Sequence, residues 1–163
     1  MADTAIPLKE FDEEMKTTRR VLERVPSDKA TWKPHEKSFA MGHLAQLVAR
    51  MPGWFPLMLQ QPHLDLAGGA GYSFEKTETL LDVFDAGVAD ARRALAAVTG
   101  AALEQPWSLK MGDKTVMTTP RGEVVRQTLR HLVHHRGQLT VYLRLVDVPV
   151  PSVYGPTADE RWG

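Results

Sequence analysis

Leu129-Arg130-His131-Leu132-Val133-His134-His135-Arg136-Gly137-Gln138-Leu139 is the stretch on which the reading of this chain turns. It lies in a proline-free segment where Val125, Leu129, Leu132, Leu139 and Leu143 recur at helical spacing, the pattern of an amphipathic helix with one buried arc. Thr119 is the expected N-cap and Pro120 the first helical residue. The helix is predicted to run to about Val146, roughly 40 Å at 1.5 Å per residue, because Pro149 and Pro151 forbid its continuation. At about 100° per residue, His131 and His135 point within ~40° of each other, one turn apart. Gln138 shares their edge, whereas His134 turns toward the face carrying Arg126, Arg130 and Arg144.

Working outward, the same periodicity marks three further helices. Leu8, Phe11, Met15, Leu22 and Val25 form a stripe from Pro7 to Val25, stopped by Pro26-Ser27-Asp28. A second helix is predicted from Phe39, with Ser38 as its N-cap and Leu44, Leu47, Val48 and Met51 on one face. It breaks at Pro52-Gly53 and resumes from Phe55 to Gln61. A third runs from about Thr77 to Val98 with Gly100 as its C-terminal stop. Between them Leu64 to Tyr72, containing Gly68-Gly69-Ala70-Gly71, reads as a connection and not a phosphate cradle, since no strand is predicted before it. Trp107–Lys110 and Lys114–Met117 alternate around Gly112-Asp113 as a short hairpin ahead of the last helix. The expected fold is therefore all-α, a four-helix bundle with long connections and a hairpin-like crossover, forming one domain over residues 1–163.

Twenty Lys and Arg balance twenty Asp and Glu, so neither nucleic acid nor an anionic membrane is expected as a partner. The chain has no cysteine, which excludes disulfides, Cys-type zinc sites and a cysteine nucleophile. Neither a signal peptide nor a run of ~20 apolar residues is found, and a soluble, cytoplasmic protein is expected.

Two neutral imidazoles at i and i+4 are the simplest metal chelate a helix offers, and a third ligand from another helix leaves a position open for water or substrate. His43, at the edge of the second helix's apolar arc, is the candidate third ligand to His131 and His135. The competing reading makes the pair hydrogen-bonded core histidines and His43 a solvated helix residue. His35 and His63, flanked by proline, read as surface residues. Leu132 stands where a zincin carries its general-base Glu, no Glu-x-x-His supports a di-iron bundle, and no Gly-x-Ser-x-Gly elbow is present.

Pro120-Arg121-Gly122-Glu123, the histidine-rich stretch through Leu139, Pro149-Val150-Pro151-Ser152-Val153-Tyr154-Gly155-Pro156 and Ala158-Asp159-Glu160 together resemble the DinB/YfiT-like superfamily. Trp32-Lys33-Pro34-His35-Glu36-Lys37-Ser38 and Met51-Pro52-Gly53-Trp54 fit the same group. The resemblance implies a four-helix bundle, often homodimeric, in which three histidines hold a divalent metal such as zinc or nickel, with iron a further fit. It also implies either a thiol-dependent S-transferase with a small thiol cosubstrate or a hydrolase using metal-activated water. His131 and His135 carry over directly. The second-helix ligand is expected one turn after His43, in the register Leu44-Ala45-Gln46-Leu47, where this chain has Leu47. His43 then either substitutes for it or the site is incomplete, and the alternative function is a non-catalytic stress-response or ligand-binding protein. A third reading makes Trp54, Phe55, Leu57 and Met58 an exposed dimerisation patch.

Overall fold

The computed structural model of the chain describes residues 6–68, 71–73 and 76–161. Helix α1 spans Leu8–Leu22 and buries Phe11, Met15, Thr18, Val21 and Leu22, the stripe expected of its sequence. It ends before Val25 because Arg24 and Val25 donate to the carbonyls of Val21 and Leu22, tightening the last turn ahead of Pro26.

Helix α2 spans Met41–Arg50, and Ser38 is not its cap. Its first donors are met by backbone instead: Met41 N donates to Trp32 O and Gly42 N to Ala30 O, both at 2.9 Å. That contact needs glycine, because a Cβ on Gly42 would stand 3.0 Å from the Ala30 methyl. The Pro52-Gly53 break takes the form of a 3₁₀ turn over Met51–Gly53, after which α3 covers Trp54–Gln60. Pro52 has no amide hydrogen to give the preceding turn, so the chain tightens there before α3 begins.

Helix α4 spans Thr77–Ala97. Gly100 is not its stop. The chain leaves α4 at Val98 in an extended conformation, and Gly100 opens a short helix, α5, Gly100–Leu103, whose cap is Thr99 accepting from Ala102 N. The last helix, α6, spans Arg121–Leu145. Thr119 lies in a strand and Pro120 holds the cap position without a side-chain bond. Arg121 N donates to Gln105 O at 2.9 Å, so here too a neighbouring backbone carbonyl meets the first-turn donor.

The all-α expectation is overturned by a three-stranded mixed sheet. Strand β1 (His63–Asp65) pairs parallel to β2 (Pro106–Met111), which pairs antiparallel to β3 (Lys114–Pro120), in the order β1-β2-β3. The expected hairpin is β2-β3, turning at Gly112 with φ +60. β1 arises from the start of the connection after α3, and Asp65 fastens it by accepting from Ala67 N and Gly112 N. Of the glycine-rich stretch that follows, Gly69 and Ala70 lie outside the described residues, as do the last two residues of the irregular tail.

One cluster of buried residues runs from Ile6 to Val150 and draws on all six helices and on Trp107 of β2. Phe11 and Phe55 meet edge to face at 5.4 Å, a geometry worth roughly 0.5–1.5 kcal/mol beyond the area it buries. Arg136 of α6 enters this core at 1 % exposure. Its guanidinium donates to the Glu14 carboxylate at 2.6 Å, to Thr18 Oγ1 and to Tyr154 Oη. Tyr154 Oη donates in turn to the other Glu14 oxygen. α6, α1 and the tail are thereby joined. Ion pairs of Arg20 with Glu160 and Arg144 with Asp159 strap the rest of the tail down. Among the described residues no helix is long and apolar enough to cross a membrane.

Candidate functional site

His131 and His135 are brought together as their spacing requires. Their Nε2 atoms are 2.7 Å apart, and His135 Nδ1 lies 2.7 Å from Gln138 Oε1. An amide oxygen only accepts, so His135 carries its proton on Nδ1 and offers the Nε2 lone pair. The Nε2–H of His131 then donates to it. Gln138, a residue on the predicted edge, thus fixes the tautomer of its neighbour. His134 is exposed, as expected, and meets the His135 ring edge to face, 5.1 Å between centroids. Burial lowers the pKa of His131, helped by the repulsion of His135 and His134.

His43 does not join them. Its ring is sandwiched between Phe39 at 4.3 Å and Tyr72 at 4.1 Å, each tilted by 29°, and burial lowers its pKa. It is half-buried between the two rings and not a solvated helix residue. Among the described residues no three His, Asp or Glu side chains gather closely enough to hold an ion. Leu47, one turn further along α2, is buried at 7 % exposure and offers no donor.

The donor set does not fit a three-histidine divalent centre. Ligand nitrogens bonded at ~2.1 Å with tetrahedral angles stand about 3–3.5 Å apart. The 2.7 Å separation here is that of a direct hydrogen bond, and the third position on α2 is a leucine.

A cavity of about 790 Å³ opens beside His131, within the size range of small-molecule sites. Val124, Gln127, Thr128 and His131, at i, i+3, i+4 and i+7 of α6, form one wall. Trp54, Leu57 and Met58 of α3 form the second. Leu64 of β1, Trp107 and Leu109 of β2 and Met117 of β3 form the third, with Leu66, Tyr72, Arg50 and Asp65 around the mouth. Sequence periodicity missed this cavity because spacing foresaw the β2-β3 hairpin but neither β1 nor the packing of the hairpin against α3 and α6. The expected exposed patch is instead largely internal: Phe55 and Met58 are buried, Trp54 is half-buried 6.3 Å from the His131 ring, and Leu57 alone of the four is exposed. Tyr72 connects the cavity to His43. It stacks on that ring, and the Arg50 guanidinium lies 5.4 Å from its centroid.

The sequence pattern of the DinB family matches residues 1–162. A protein of Bacillus subtilis, the uncharacterized protein YrdA, is 44% identical over 43 residues, covering 26% of this chain and 25% of that protein. The alignment therefore spans about a quarter of YrdA. Among solved structures, a DinB-like protein from Bacillus cereus ATCC 10987 superposes with a TM-score of 0.70 at 19% identity, over 90% of this chain and 95% of that one. The DinB-like protein YjoA of Bacillus subtilis gives 0.67 at 17% identity, over 95% and 98%. At these identities the structural likeness concerns the fold.

Proposed function

The chain belongs to the DinB family, and from that premise we propose that it is a ligand-binding member whose histidine site is incomplete as a metal centre. The observation carrying this reading is the 790 Å³ cavity with His131 in its wall, beside a pair of histidines bonded to each other. Leu47 stands in the register where the family resemblance calls for the third ligand. Metal analysis of protein dialysed against zinc tests the reading. The parent is expected to retain well under one equivalent, and Leu47→His to gain a tight site. One full equivalent in the parent, lost in His131→Ala and His135→Ala, overturns it.

One feature favours a second reading, a metal-dependent transferase or hydrolase. His135 is held by Gln138 with its Nε2 lone pair toward His131, the arrangement by which an outer hydrogen bond orients a metal-ligating histidine. In this reading the two imidazoles would hold zinc or nickel only together with a donor from a bound small thiol or from water. A metal so held would lower the pKa of such a ligand and would supply a nucleophile near neutral pH. Calorimetric zinc titration with and without 2-mercaptoethanol separates the two. A tenfold or greater gain in affinity with thiol, abolished in His135→Ala, supports the enzyme; no gain removes it.

A further inference from the structure

We propose that the cavity between α3, α6 and the sheet selects a neutral, flat aromatic molecule with a hydrogen-bonding edge. This rests on the cavity-binding reading above and adds the chemical class of the occupant. Three aromatic side chains, Trp54, Tyr72 and Trp107, line the space, and Leu64, Leu109 and Met117 of the sheet add aliphatic and thioether surface. Flat rings gain most against such surfaces, through offset or edge-to-face contacts with aromatic neighbours and through sulfur contacts with methionine.

The α6 wall carries uncharged polar groups. Gln127, Thr128 and His131 follow one another along α6. The Thr128 hydroxyl spends its proton locally, 2.9 Å from Val124 O and 3.2 Å from Met58 Sδ, which leaves its oxygen as an acceptor. Gln127 donates one amide hydrogen to Glu123 Oε1, which leaves its amide oxygen and its second hydrogen. Through the Thr128 and Gln127 oxygens the α6 wall therefore accepts from an occupant whose polar edge donates.

Charge selects against ions. Arg50 and Asp65 are the charged groups among the described lining residues, and both are engaged. The Asp65 carboxylate accepts two backbone amides, at 2.8 and 2.9 Å. The Arg50 guanidinium faces the Tyr72 ring and the Gly71 carbonyl. An anion entering the cavity would lose its hydration without gaining an uncommitted cation, a transfer that is strongly unfavourable.

A matched pair of probes tests this on the intact protein. N-phenyl-1-naphthylamine is neutral and carries one N–H; 8-anilino-1-naphthalenesulfonate is the same skeleton with a sulfonate. Binding is read from probe emission and from energy transfer out of Trp54 and Trp107. The neutral probe is expected to bind at least tenfold more tightly, and Met117→Trp, which fills the sheet side of the cavity, to abolish its binding with an unchanged circular dichroism spectrum. Equal or tighter binding of the sulfonate, also lost in Met117→Trp, overturns the neutral selection while leaving the cavity-binding reading intact. Binding of neither probe, or binding indifferent to Met117→Trp, overturns both.

Discussion

Arg136 and His135 are neighbours in sequence, yet they belong to opposite kinds of site. Arg136 is buried and its charge is met by Glu14, Thr18 and Tyr154. His135, about 100° around the helix, is half-buried and bonded to His131 and Gln138, side chains of its own helix. The first cluster ties three segments of the fold together. The second makes no hydrogen bond to another segment among the described residues, and its His131 lines the cavity. A polar group that joins distant segments is accounted for by stability, whereas one whose hydrogen bonds stay within its own helix beside a cavity is where binding is to be sought.

The sharpest way to break this contrast is to remove each partner. Arg136→Met strands the Glu14 carboxylate in a site only 15% exposed and is expected to cost about 3–5 kcal/mol, read by urea denaturation. His135→Ala, one residue away, is expected to change stability by no more than ~0.5 kcal/mol. Similar losses in the two variants would erase the distinction. Gln46 sharpens it from the other direction. It is fully buried, and neither end of its amide has a hydrogen-bond partner among the described residues. Replacing it with Met, of similar shape, should stabilise the protein by about 1–3 kcal/mol, the cost of burying unsatisfied polar atoms; destabilisation would point to a bonding role for the amide.

His43 gives a smaller effect. If it serves as a stacking post for Tyr72, His43→Ala should weaken neutral-probe binding by about 0.5–1.5 kcal/mol, the worth of one aromatic contact, and His43→Phe should restore it. Failure of Phe to rescue would return His43 to a role that needs its nitrogens.

Smallest of all is the response of the tail to acid. The Asp159 carboxyl is held below its usual pKa chiefly by Arg144 and then by the Val150 amide. The Glu160 carboxyl is held down first by the Ser152 amide and then by Arg20. A lowered folded pKa means that the straps contribute fully above the ordinary carboxylate range, near ~4, and are lost as pH falls through the lower folded value. The amide shifts of Val150 and Ser152 should therefore titrate with midpoints below that range, and midpoints at or above it would show the straps to be loose.

Much of this was legible from spacing. The stripes of α1, α4 and α6, the break at Pro52 and the meeting of His131 with His135 all follow from helical period. So could the burial of Arg136 have done: it stands at the three-and-four step between Leu132 and Leu139 in an otherwise apolar row. The helix starts were misread for a common reason. Ser38 and Thr119 are good capping residues, but Trp32 O, Ala30 O and Gln105 O reached the first-turn amides instead, and no local signal marks a carbonyl arriving from elsewhere.

What the sequence by itself determined is what lies within a few turns of one helix: its apolar face, its breaks, and the two imidazoles that a single turn must bring side by side. Only the tertiary structure decided that β1 pairs with β2 across the whole of α4, that this sheet closes a cavity against α3 and α6, and that His43 stacks on Tyr72 apart from the histidine pair. The physical reason is range. Helical neighbours are set by a fixed rotation per residue, whereas parallel strand pairing and ring stacking depend on where distant segments come to rest once the common core has formed.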